Sequence, residues 1–405
     1  MQKPEFGLDW LLSPSDPAVF LAEYWEKRPF TLFRNDESYF GSVLSLADMD
    51  QILSSHDLHY PTVQMVKNSA PIPPPRFASP RELKGVPLGE VVDPVKLLAE
   101  YQQGATIIMD NVHRRWAPLA RLCAGIERFL SHPTQTNVYL TPPGAQGFTA
   151  HYDTHDVFIL QTVGSKHWRL YGSPVQLPLP SSPYPYPGPD AGKPSADFVL
   201  HAGDVLYIPR GHIHDALTSD SVSLHVTLGI KVYTWADLFM EALGALCKRD
   251  VRFRRSLPLG FAADPTAFDR IRAEAISLMQ ALSTSGLPIA EIAEHVAERF
   301  VMSRPPLLEG QLTSLARARQ LTPQSRIRKR AWMWRLTSHG MGDETVQLVY
   351  HGKSLSFPRH LEPTLRYILA ADEFEVTSLP GTLSEWDKID LVQRLLHEGV
   401  LMDVD

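Results

Sequence analysis

The chain has 405 residues, 44% of them hydrophobic, with 39 Lys and Arg against 45 Asp and Glu. That is the balance of a polypeptide that folds into globular domains, and the length calls for two or three of them. A formal net charge of −6 gives no global attraction to nucleic acid or anionic membrane. No apolar run reaches the roughly 18 residues of a membrane helix. Two cysteines, Cys123 and Cys247, are too few for a thiolate zinc site. The opening MQKPEFGLDW lacks the basic, apolar and small-residue succession of a signal peptide, so a reducing, cytoplasmic compartment is expected.

The first hundred residues alternate apolar helical pieces, such as Val19 to Trp25, with proline-rich loops such as PIPPPRF. From about Asn137 to Val232 the pattern changes. Short β-branched and aromatic runs, NVYLT, FTAHYD, DVFILQTV, KHWRLYG, DFVLHAG, DVLYIPR and SVSLHVTLGIKVY, are bounded by Gly, Pro and Asp, which predicts an antiparallel sandwich or barrel. We read a cupin-like double-stranded β-helix. The eight prolines between Ser173 and Pro194 exclude a central strand there and predict a surface excursion, read first as a rigid rim loop and alternatively as a wall of the substrate groove.

After Tyr233 helical signals dominate: WADLFMEALGALCKR, then FDRIRAEAISLMQAL behind an Asp264–Pro265 cap pair, then LPIAEIAEHVAERF. Their apolar stripes are wide enough to pack on each other or on a second subunit. The basic stretch Arg317 to Arg330 reads as a solvated linker or a contact for RNA or an acidic partner. Beyond it, MWRLTSHG, TVQLVYHG and KSLSFP predict strands, and HLEPTLRYILAAD and KIDLVQRLLHEGVL predict helices, together a compact winged-helix-like module. From Lys329 onward eight Lys and Arg face twelve Asp and Glu, a poor charge for gripping a duplex.

The chemistry concentrates at His151, Tyr152 and Asp153. A histidine and a carboxylate two residues apart on a strand share a face, and a second histidine from a neighbouring strand would complete a three-ligand iron site with open positions. YIPRGHIHDA offers His212 and His214 for that place and HVTLG offers His225; His214, where an apolar strand turns back into the sheet, is preferred and His212 is the fallback. Lys166 follows His151 by fifteen residues. Read as strand, turn at Val163 to Ser165 and second strand, this segment doubles back toward the metal face. A lysine buried there needs an anion. The distal carboxylate of 2-oxoglutarate is the natural one, with Tyr139 and Thr227 on flanking strands able to hydrogen-bond it.

The segments NVYLTPPGAQGFTAHYDTHDVFILQTVGSKHWRLYG, AGDVLYIPRGHIHDA and SLHVTLGI resemble the JmjC-type 2-oxoglutarate oxygenases of the ribosomal oxygenase group, nearest its histidyl-hydroxylase branch. FLAEYWEKRPF resembles the N-terminal region of that family, and the helices and last module resemble its dimerisation region and winged helix in order and size. The resemblance implies iron(II) on His151, Asp153 and His214, with Lys166, Tyr139, Thr227 and Asn137 around 2-oxoglutarate. It implies hydroxylation of a protein side chain, a histidyl or arginyl residue of a ribosomal protein, by a homodimer. His155 and His212 match no fixed pattern of the family and lie near the expected mouth.

The expected organisation is a catalytic domain over residues 1–232 with its β-helix core at about 137–232, a helical dimerisation region over 233–328 and a winged-helix-like module over 329–405. Two rival readings are weighed against protein hydroxylation. One keeps the iron chemistry but acts on a tRNA base, a biosynthetic peptide or a small molecule. The other is a cupin-fold binding protein without catalysis, which the complete set of His151, Asp153, His214 and Lys166 opposes.

Overall fold

The computed structural model describes residues 6–145, 149–182, 191–284, 289–330, 334–337 and 344–404. The chain divides into two compact units, residues 1–232 and 233–405. The first unit carries short helices α1 (Leu8–Leu12), α2 (Pro17–Glu23), α3 (Leu46–Ser55), α4 (Pro94–Gln102) and α5 (Ala117–Leu130). Its strands are β1 (Phe30–Leu32), β2 (Val63–Lys67), β3 (Ala70–Pro71), β4 (Ala78–Leu83), β5 (Val86–Val92), β6 (Thr106–Met109), β7 (Thr134–Thr141), β8 (Asp156–Leu170), β9 (Ala196–His201), β10 (Val205–Ile208) and β11 (His214–Ile230). All the strand pairs of this unit are antiparallel.

The principal sheet runs β1-β10-β8-β11-β7-β6-β2-β3, with β9 alongside the second half of β8. Two long strands make this a cupin-like barrel rather than a flat sheet. Asp156–Val163 of β8 pairs with Leu224–Ile230 of β11 across one register shift, and Gly164–Leu170 pairs with His214–Ser223 across another. The expected turn at Val163–Ser165 is therefore not a reversal: β8 is one continuous strand, and Lys166 lies further along it. Gly164 explains the difference. Its φ of +66° bends the strand without ending it, and a Cβ there would come 1.8 Å from the Val222 carbonyl oxygen.

Alternation along β8, shifted in phase by the bulge at Thr162 between the Gln161–His225 and Val163–Leu224 pairs, separates two cores. Phe158 and Leu160 face outward and pack with Phe20 of α2, Val205 and Tyr207 in the larger core that the helices cover. Val157 and Ile159 face inward with Trp168, Leu170, Leu200, Leu206 and Ile208. The barrel interior is thus apolar at one wall, while β7 and β11 offer it Asn137, Tyr139, His225 and Thr227.

In the second unit α6 (Trp235–Arg249) starts at a capping box, Thr234 with Asp237, and α7 (Ala267–Thr284) and α8 (Ile289–Met302) follow. Asp264 serves the turn before α7, accepting from the Thr266 amide at 2.9 Å, so the helix begins two residues after the Asp–Pro pair. After α9 (Gln311–Arg317) come β12 (Arg326–Lys329), β13 (Trp334–Thr337), β14 (Thr345–Tyr350), β15 (Lys353–Pro358), α10 (Glu362–Ala370), β16 (Glu373–Glu375), α11 (Glu385–His397) and β17 (Leu401–Asp403). They form two three-stranded antiparallel sheets, β16-β12-β17 and β13-β14-β15, over a core that includes Ile327, Leu348, Phe357, Leu365, Val392 and Leu395.

The basic stretch is structured rather than a linker, running from the end of α9 through β12, and several of its arginines have acidic partners within the chain. Arg326 and Arg328 both pair with Glu373, Arg317 lies 3.6 Å from Asp403, and buried Arg330 donates to the carbonyls of Leu307 and Glu309. A strand register, invisible to composition, brings those acidic partners opposite.

Candidate metal centre

His151, Asp153 and His214 each present a ligand atom within 4.8 Å of the other two. Two backbone hydrogen bonds position the histidines. The His151 amide donates to the His214 carbonyl at 3.1 Å and the His214 amide returns to His151 at 2.8 Å, a single antiparallel bridge. The FTAHYD run was expected as a strand, but among the described residues it contributes only this bridge; Phe148 lies outside them. The gathering of His151 and Asp153 follows from the loop that this bridge fixes, and not from strand alternation.

Each imidazole is also oriented. His151 Nδ1 lies 2.8 Å from the Thr149 carbonyl and His214 Nδ1 lies 3.0 Å from the His212 carbonyl, so each Nδ1 carries the proton and each Nε2 keeps a lone pair for a metal. Asp153 Oδ2 is 3.8 Å from His214 Nε2. Burial, then the neighbouring His151, push the His214 pKa down to about 4, which holds it in the neutral, ligating form. One carboxylate and two imidazoles in this arrangement suit iron(II). His212 supplies only its backbone carbonyl to this arrangement, and its Nδ1 has no hydrogen-bond partner among the described residues.

Behind the loop, buried Asp156 accepts from Arg210 at 2.7 Å and from the Tyr207 hydroxyl at 2.9 Å, and Arg210 also pairs with Glu26 at 2.5 Å. This network clamps the residue three places after Asp153 to the segment that leads into His214. On the next turn, Gly211 is packed under the proline-rich excursion, where a Cβ would meet the Val175 carbonyl at 2.1 Å. The Tyr152 hydroxyl donates to Ser182 from beneath. Residues 183–190 of that excursion lie outside the described residues.

The inner face of β7 and β11 forms a ladder of side chains, its rungs two residues or about 6.8 Å apart. Thr141 pairs with Ser223, Tyr139 with His225, Asn137 with Thr227 and Gln135 with Gly229. Lys166 reaches the first rung, its Nζ 3.3 Å from Thr141 Oγ1. It is 4% exposed and has no anionic partner among the described residues. Burial lowers its pKa to about 7. His225 stacks on Tyr139 at 4.8 Å and meets the edge of Trp168, whose ring lies 6.1 Å from His214. Burial, then the charge of Lys166, keep His225 neutral. The fourth rung holds His155, whose ring would lie 2.6 Å from a Cβ on Gly229.

The sequence reading passed over Trp168 and His225 as pocket walls, and over Asp110. Asp110 directly follows β6 beside Asn137, whose Oδ1 accepts from the next amide, Asn111, at 3.2 Å. A carboxylate directly after the fully buried run TIIM was its only signal.

A JmjC domain family model matches residues 111–238. Ribosomal oxygenase 1 of Danio rerio is 30% identical over 98% of this chain and 79% of its own length. The Aedes aegypti protein named bifunctional lysine-specific demethylase and histidyl-hydroxylase NO66 is 33% identical over 62% of this chain and 39% of its own. Among solved structures, the Escherichia coli ribosomal oxygenase YcfD in complex with cobalt and 2-oxoglutarate shares the fold, with a TM-score of 0.52 at 17% identity over 97% of this chain and 99% of that one. On the full-length match and the JmjC domain together, the chain belongs to the ribosomal oxygenase family of JmjC proteins.

Proposed function

We propose that the chain hydroxylates a histidyl or arginyl side chain of a ribosomal protein, with iron(II) on His151, Asp153 and His214 and 2-oxoglutarate anchored by Lys166. The chain is a 2-oxoglutarate-dependent protein hydroxylase of its family. When bound, iron(II) would activate dioxygen with 2-oxoglutarate as the two-electron reductant: one oxygen atom turns a C–H bond into C–OH, and the other enters succinate as the cosubstrate loses carbon dioxide. The residues do the rest. Lys166, with Thr141 beside it, gives the distal carboxylate a cation in a dry pocket, where the pair is worth more than in water. Tyr139, Thr227 and Asn137 line the path from Lys166 toward the metal face. Val157, Ile159 and Trp168 keep water out.

The observation that carries this reading is the Lys166 ammonium, buried without a counter-charge inside the same barrel as the triad. A fold that keeps such a cost unpaired gains it back only with an anionic ligand. Mass spectrometry of ribosomal proteins from cells with and without the chain tests the substrate: one residue should lose the mass of an oxygen when the chain is absent. An unchanged ribosome would move the reading to a peptide or small-molecule substrate. In purified protein, His151→Ala or Asp153→Ala should abolish succinate formation, and turnover that survives both and chelation would end the oxygenase assignment.

The same reading makes residues 233–328 a dimerisation region and 329–405 a winged-helix-like module in contact with protein. Trp235, Phe239, Met240 and Leu243 form one exposed apolar face of α6, and Phe268, Ile276 and Met279 are exposed on α7. Faces of this kind mark subunit contacts. A cytoplasmic location fits two cysteines that form no disulfide, and no helix among the described residues is long and apolar enough to cross a membrane.

A further inference from the structure

Across β6 the ladder continues with Gln64, Ile108 and Tyr139 in one register, so Asp110, two residues beyond Ile108, faces the same interior as Tyr139 and Asn137. Its carboxylate is half-buried. Gln64 Nε2 donates to Oδ2 at 3.1 Å, and no cation pairs with Asp110 among the described residues. Nor does Asp110 cap the 3-10 turn Val112–Arg114 that follows, which takes no side-chain hydrogen bond at its start. The charges of Asp153 and Asp110 both reach the Tyr139 hydroxyl, so the two carboxylates share its neighbourhood. Asp153 has the metal as its use. Asp110 is a second anion at the same mouth, partly desolvated, held in place by a neutral amide and with an acceptor oxygen unclaimed. Burial accordingly pushes its pKa up. Such a group is costly unless a cation or N–H donor arrives.

We propose that Asp110, steadied by Gln64, receives the N–H-bearing end of the target side chain, so that the site selects a guanidinium or imidazolium over a neutral group of the same size. The assignment rests on the protein-hydroxylase reading and narrows it. Asn137 ties Asp110 to the ladder: its Oδ1 accepts from the Asn111 amide beside Asp110, and it lies one rung from Tyr139. Gln64 contributes by fixing the carboxylate orientation, since its amide occupies Oδ2 and leaves Oδ1 to accept from a ligand. An acceptor-only receptor also rejects carboxylate side chains.

The test is binding without turnover. Full-length protein is loaded with zinc and 2-oxoglutarate, and the affinities of the capped pentapeptides Gly-Gly-Arg-Gly-Gly, Gly-Gly-His-Gly-Gly and the citrulline counterpart of the first are read by ligand-observed NMR. Wild type should prefer the arginyl peptide, or the histidyl peptide at about pH 6, over citrulline. Asp110→Asn should reduce that preference about tenfold or more, the scale of a charge-assisted hydrogen bond, without loss of 2-oxoglutarate affinity. Gln64→Leu, which leaves the charge in place, should reduce it less and keeps the question answerable if Asp110→Asn folds poorly. Equal binding of arginine, histidine and citrulline by wild type, or a preference unchanged in both variants, would overturn the proposal. Absence of any hydroxylated ribosomal protein would instead count against the parent reading, and the binding result would still stand.

Discussion

Lys166→Met removes the most costly charge in the barrel, and its effect can be worked from the structure. Burial takes the ammonium from 10.5 to about 7 in the folded chain. A difference of about 3.5 units at about 1.4 kcal/mol each is roughly 5 kcal/mol, an upper figure because local relaxation and water entry reduce it. The unfolded chain holds this proton up to the ordinary lysine pKa, so between pH 7 and that value the unfolded state binds more protons. The penalty is therefore complete below pH 7 and is relieved as pH rises through the window. Ligand-free Lys166→Met should be more stable than wild type by a few kcal/mol in urea at about pH 6.5, and the gap should shrink by about pH 9.5. Addition of 2-oxoglutarate should stabilise wild type and not the variant. At about pH 8 wild-type Lys166 is mostly neutral, so the incoming carboxylate should draw in close to one proton, measurable by calorimetry in buffers of different ionisation heat. A ligand-free variant no more stable than wild type, together with binding that takes up no proton, would refute the argument.

Three further outcomes are expected. Gly229→Ala should cost about 1–3 kcal/mol in urea unfolding because its Cβ would meet the His155 ring, and adding His155→Ala should restore most of the loss; a fully stable single variant would mean the ring is not held there. Arg210→Met leaves Asp156 buried without its cation and should cost about 3–5 kcal/mol, with weakened metal affinity because the adjoining loop carries Asp153. Glu introduced at Trp235 and Phe239 together should convert a dimer to a monomer in sedimentation velocity, and a wild type already monomeric at high concentration would remove the dimer from the reading.

The alternation of NVYLT and DVFILQTV, the helix start at Trp235 and the strand–helix order of the last module were legible because each depends on neighbours within a few residues. The turn at Val163–Ser165 was misjudged for the complementary reason. A Gly between two apolar runs signals a break, but whether the chain reverses or bends is decided by β11, which pairs with both halves of β8 and keeps them one strand. The linker reading of the basic stretch failed in the same way, since Glu373 reaches Arg326 and Arg328 only through the β12–β16 register.

By itself the sequence determined the chemistry: the spacing of His151 and Asp153, the presence of His214 and the placing of one lysine inside apolar strands limit the reaction to a narrow class, because ligand type and charge are properties of residues. Tertiary structure decided which atoms can act together. The His151–His214 bridge, the rungs that set Lys166 apart from Asn137, and the meeting of Asp110 with Gln64 all join segments tens of residues apart. Such contacts carry no local signal. They exist only once burial of Val157, Ile159, Leu206 and their neighbours closes the barrel and fixes every register at once.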